Sequence, residues 1–166
     1  MTIRHLSTFG RPALVALLVW AGALGATVRA QAPSPAANAL TQHPSLYKVD
    51  SVEFRLAPGE GMEYKYRMEK GASMVYTWTA TGTVDYDMHS EADGAPKGTA
   101  DSFDMGTADR GHGSYTAPFS GIHGWFWENK GQSEVRVRLA SAGFYSSAQE
   151  FRKNLRQPYV LKDVQP

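Results

Sequence analysis

Two stretches of strict two-residue alternation constrain this chain more than any other feature. In Met62-Glu63-Tyr64-Lys65-Tyr66-Arg67-Met68-Glu69 every even position is apolar and every odd one charged; Glu134-Val135-Arg136-Val137-Arg138-Leu139 repeats the pattern with opposite parity. Successive side chains of an extended strand point to opposite faces, so each stretch predicts a strand with one buried and one wet face. Tyr64, Tyr66, Val135, Val137 and Leu139 are expected inside, and Lys65, Arg67, Arg136 and Arg138 in solvent. Further strands are expected at 49–56, 73–80, 83–90, 102–106, 113–117, 124–129 and 143–147. Pro58-Gly59, Lys70-Gly71, Thr81-Gly82, Asp93-Gly94, Gly111, Ser120-Gly121 and Lys130-Gly131 punctuate them as turns. Many short strands with Gly-rich turns predict an all-β fold, an antiparallel β-sandwich or jelly roll. Only Ser147 to Leu155 reads as helical, with Pro158 ending it.

The N-terminal region obeys a different logic. Arg4, His5 and Arg11 precede a charge-free apolar run from Pro12 to Val28, and Val28-Arg29-Ala30 and Ala30-Gln31-Ala32 offer cleavage sites. That order predicts a secretory signal over residues 1–30. Retention as a membrane anchor through residues 12–28 is the alternative, against which Gly22 and Gly25 count as weak helix formers. Residues 31–45, rich in Ala, Pro and Ser, read as a flexible linker, residues 46–150 as the β-domain and 151–166 as a C-terminal tail. The chain is therefore expected in the periplasm or secreted, or else held at the inner membrane facing the periplasm. Residues 1–30 hold three of the 17 basic residues and none of the 16 acidic ones, so the remainder carries a net charge of −2. Nucleic-acid binding, which demands a clustered positive surface, is not expected. With no cysteine, neither a disulfide nor a lipid-bearing N-terminal Cys is available, and stability must come from packing and sheet hydrogen bonds.

Several short motifs resemble a GOLD-like (p24-type) β-sandwich domain. They are Glu63-Tyr64-Lys65-Tyr66-Arg67-Met68-Glu69-Lys70-Gly71, Val75-Tyr76-Thr77-Trp78 and Val84-Asp85-Tyr86-Asp87, then Gly121-Ile122-His123-Gly124-Trp125-Phe126-Trp127-Glu128-Asn129, Ser133 to Leu139 and Gly143-Phe144-Tyr145. The likeness spans Val49 to Ser147, and the chain is also similar to small bacterial exported proteins described as transmembrane anchor proteins. The resemblance implies a β-sandwich used for protein or lipid recognition. The chain departs from the eukaryotic members in having no cysteine pair and no C-terminal membrane helix.

Chemistry-bearing residues are few. Asp85, Asp87 and His89 share one strand face, extended by Glu91 and Asp93. Carboxylates suit hard cations, while an imidazole shifts preference toward zinc or copper. His112 and His123 sit in Gly-rich segments read as turns, where loops at one end of a sandwich could converge. Asp87, His89, His112 and His123 are therefore the candidate metal ligands, although none has the close spacing of a known metal motif. The bland alternative is a solvated sheet face with turn histidines bonded to backbone. There is no Gly-x-Ser-x-Gly elbow, cysteine nucleophile or phosphate-cradling loop, so no enzymatic activity is expected. Trp125 and Trp127 share a face and read as core, with an aromatic platform for a sugar as the alternative. The expected function is a non-catalytic extracytoplasmic module without a cofactor. It would recognise a partner protein or envelope component through Asp109, His112 and His123, in loops near 106–112 and 120–124. A periplasmic metal-binding accessory protein, holding zinc or copper, and a carbohydrate-binding module are the alternatives.

Overall fold

The computed structural model describes residues 40–153, 155–159 and 161–163; the expected signal segment and most of the linker lie outside them. Nine strands follow one another without a helix among the described residues: β1 Lys48–Leu56, β2 Gly61–Met68, β3 Ser73–Ala92, β4 Asp101–Thr116, β5 Gly121–Glu128, β6 Val135–Gly143, β7 Ser147–Arg152, β8 Leu155–Tyr159 and β9 Lys162–Asp163. Every pairing is antiparallel. The order is β8-β7-β2-β5-β3-β6-β1-β9, with β4 also on β3. The all-β antiparallel expectation holds, and the strands form one continuous hydrogen-bonded sheet.

The sheet curls because β3 changes neighbours partway along. Met74–Ala80 pairs with β6 and Asp85–Ala92 with β5, while β4 accompanies both parts and the register shifts between Thr79 and Val84. Thr81-Gly82, read as a turn, is that irregularity; glycine inside a strand marks a bend as readily as a reversal. Two limbs result, β6-β1-β9 and β5-β2-β7-β8. Side chains meet between them: Phe54 of β1 and Tyr64 of β2, strands that share no backbone bonds, at 5.0 Å between ring centroids, and, from the half of β3 that pairs with β6, Tyr76 with Trp125 at 4.6 Å and Trp78 with Trp127 at 5.9 Å. The core lies there, and Tyr64, Tyr66, Val135, Val137 and Leu139 are all in it, as the alternation requires.

Four expectations are corrected. Gly111 is not a turn: 102–106 and 113–117 are parts of the single strand β4, where Gly106, Gly111 and Gly113 pair with Tyr86, Trp78 and Tyr76. A Cβ on Gly111 would come within 2.4 Å of Trp78 Nε1, so the glycine makes room for an indole. In the segment read as a helix, Ser147–Arg152 is strand β7 and Leu155 opens β8; pairing with β2 and burial of Ala148 and Glu150 override local helix preference. Pro158 sits in β8 at the rim of the sheet, where a missing N–H is tolerated. The sheet thus runs beyond residue 150 into the segment read as a tail. Lys65 points to the outer face as its parity demands, yet it is 1% exposed.

Candidate functional site

The outer face of β2-β5-β3 gathers a cluster of ionisable side chains. Register sets three rows across these strands: Glu63, Phe126, Asp87; Lys65, Gly124, His89; and Arg67, Ile122, Glu91. Gly124 matters twice. A Cβ there would lie 2.0 Å from the Tyr64 carbonyl oxygen, so no other residue fits, and the missing side chain leaves a trough between β2 and β3. Lys65 reaches across it, and Nζ donates to the His89 carbonyl at 3.2 Å, with Glu63 at 3.8 Å. Burial pulls the Lys65 ammonium down to about 8, opposed by the charges of Glu63, Glu91 and Asp87.

His89 is 8% exposed. Its Nδ1 lies 3.2 Å from the Asp87 carbonyl oxygen, a geometry in which Nδ1–H donates and Nε2 keeps its lone pair. Nε2 faces Glu63 Oε2 at 3.9 Å. One ligand atom each of Glu63, His89 and Glu91 lie within 4.8 Å of one another, and among the described residues this is the group close enough to share an ion. Asp87 stands beside it, Oδ2 3.6 Å from His89 Nδ1 and accepting from Ser102 at 3.0 Å.

The histidine trio does not assemble. His123 lies on the inner face of β5 with Trp125 and Trp127 and is 0% exposed, which removes it both as a partner contact and as a ligand shared with His89 on the opposite face. Its Nδ1 is 2.8 Å from Tyr115 Oη, which is 3.1 Å from Ser90 Oγ. Burial drives the His123 imidazole down to about 4, with Lys65 and Arg67 adding to the effect, so the ring is neutral near pH 7. The two ends of this Ser-Tyr-His chain, Ser90 and His123, are buried, and the Tyr115 between them is half-buried. The spacing 123, 125, 127 was the signal for it: a histidine in phase with two core tryptophans belongs to their face. His112 is exposed on β4 opposite Thr77, in the half of the hairpin away from His89. Asp109 lies in the same strand and accepts from Arg110 at 2.8 Å. Trp78, Trp125 and Trp127 are all buried, as the core reading requires, so they offer no sugar platform.

The second exposed feature is β4 itself. It has 16 residues and is bonded on one side, to β3; among the described residues no strand covers its other edge. Asp101 through Thr107 are exposed in succession, with Phe103 at 44% and Met105 at 65%. No sequence signal marked this edge, because 102–106 and 113–117 read as separate short strands. No helix among the described residues is long and apolar enough to cross a membrane. Compared with known protein families and with curated proteins, the chain matches none.

Proposed function

We propose that this domain is a non-catalytic binding module that takes an extended segment of a partner protein along the free edge of β4. The observation that carries the reading is the length and exposure of that edge. Sheet edges present unpaired N–H and C=O groups, and folds ordinarily shorten or cover them. The opposite ends of this sheet follow that rule, with β8 of five residues and β9 of two. β4 departs from it with 16 residues and exposed Phe103 and Met105. Adding a strand there would draw affinity from backbone hydrogen bonds and specificity from alternate side chains. Asp101, Asp104 and Asp109 against the single Arg110 favour a segment bearing basic residues. Asp109 and His112 keep their expected role as contacts on this strand, and His123 does not. If residues 1–30 direct export, the partner is an envelope protein; the likeness to GOLD-like domains supports protein recognition as well. Absence of catalysis fits the burial of Ser90 and His123.

A photocrosslinking residue at Met105 should capture a discrete partner in intact cells, and one at Arg136 on the other limb should not. Capture should drop in Asp104→Lys/Asp109→Lys, while backbone amides of β4 exchange more slowly in the purified complex. Equal yields from both positions, or capture indifferent to the charge reversal, would remove the β4 edge as the binding surface.

A further inference from the structure

We propose that Glu63, His89 and Glu91 form a site for one first-row divalent transition cation on the outer face of β2-β5-β3. Three independent features point there. The first is donor geometry. Donors around a tetrahedral ion at zinc-like bond lengths lie about 3.4 Å apart. Here the three ligand atoms already stand within 4.8 Å of one another, with two carboxylates free to close the remainder by rotation. The trough over Gly124 makes the approach possible, because β5 contributes no side chain between β2 and β3 at that row.

The second feature is His89. Its Nδ1–H is committed to the Asp87 carbonyl, the arrangement that orients a ligating imidazole and leaves Nε2 as the donor. Nε2 makes no hydrogen bond among the described residues, and the side chain keeps 11% exposure, so the atom remains reachable; what it faces is Glu63 Oε2 at 3.9 Å. A lone pair confronting a carboxylate is an arrangement that a cation between them stabilises. The third feature is charge. Glu63, Glu91 and Asp87 bring three carboxylates against the one ammonium of Lys65, a surplus of two negative charges that a divalent ion balances. One imidazole with two carboxylates selects zinc or manganese-like ions over calcium and magnesium, and leaves coordination positions to water. The proposed set keeps His89 from the sequence expectation, replaces His112 and His123 with Glu63 and Glu91, and places Asp87 beside the ligands. It does not depend on β4 binding a partner.

Calorimetric titration of the full chain with zinc alone should show one equivalent bound, undiminished by equimolar calcium. His89→Gln and Glu91→Gln should each weaken binding by about tenfold or more while keeping the metal-free melting temperature. His112→Gln, and the Asp104→Lys/Asp109→Lys variant, should titrate as the parent does. X-ray absorption of the wild-type zinc complex should show one imidazole with oxygen donors filling the shell, a readout that needs no variant to fold. No binding at one equivalent, unchanged affinity in both His89→Gln and Glu91→Gln, or a shell with two or more imidazoles would each overturn the site.

Discussion

Lys65 and His123 show how far alternation carries at single positions. Parity put Lys65 on the outer face and the structure agrees, but exposure depends on what lies two strands away, and the trough over Gly124 is a tertiary fact. The folded Lys65 ammonium titrates near 8, below the ordinary lysine value, so the unfolded chain holds more protons between pH 8 and 10.5. Stability should therefore rise with pH across that window, by about 2 kcal/mol up to pH 9.5. Denaturant melts in a chelator should show the rise in the parent and lose it in Lys65→Met; parallel curves would refute a depressed, buried ammonium. His123 has a depressed folded value as well, about 4 against 6.5. Its contribution is complete above pH 6.5 and is lost as the pH falls toward 4, about 2.5 kcal/mol by pH 4.5. His123→Gln should flatten that acid limb between pH 6.5 and 4.5. An equally steep limb would mean that other groups govern acid sensitivity. Glu63, by contrast, carried no mark in the sequence: it is one odd member of an alternating run, and only the register with β5 and β3 brings it to His89.

Among the elements, β2 and β6 were legible because one face of each is apolar and buried and the other carries charged side chains, the condition under which period two survives in the sequence. The β3–β4 pair was not. Its glycines read as reversals, yet a strand glycine that admits a neighbouring ring looks identical until the partner strand is known. Gly111 and Gly113 separate the two meanings by degree: a Cβ would meet Trp78 Nε1 at 2.4 Å in the first case and Tyr76 Oη at 3.2 Å in the second. Gly111→Ala should cost about 1–3 kcal/mol as an overpacking substitution, and Gly113→Ala clearly less. Thermal melts of the two variants beside Arg110→Ala, which alters an exposed side chain, would check the order. Equal, negligible losses at 111 and 113 would restore the turn reading. The same blindness explains 147–155, where pairing with β2 decides the state of a segment whose composition suits a helix.

At the scale of the molecule the question is what holds two limbs together when no cysteine can. Which strands face one another is set by contacts remote along the chain, and no local pattern encodes them. One such contact is polar. Asp50 on β1 accepts from Tyr64 Oη at 2.7 Å and Tyr66 Oη at 3.0 Å, both from β2 on the other limb. Ser141 on β6 donates to Tyr66 Oη at 2.8 Å and is 2.9 Å from Tyr145 Oη. Burial, with the Asp50 bond and charge behind it, raises the Tyr64 phenol well above its usual range, so the proton stays on oxygen and Tyr64 remains a donor. Two hydrogen bonds from buried phenols to one carboxylate join limbs that share no backbone bond here, so removing the carboxylate strands both donors. Asp50→Ala should cost about 2–4 kcal/mol, the penalty of leaving two buried groups unsatisfied. Tyr64→Phe removes one of those donors, and in its background the Asp50→Ala loss should shrink by at least about 0.5–1 kcal/mol. A double-mutant cycle by urea denaturation measures that coupling. If the two losses add, the Tyr64–Asp50 bond contributes nothing across the limbs, and closure rests on the Tyr66 bonds to Asp50 and Ser141 and on the aromatic contacts of Phe54, Trp78 and Trp127.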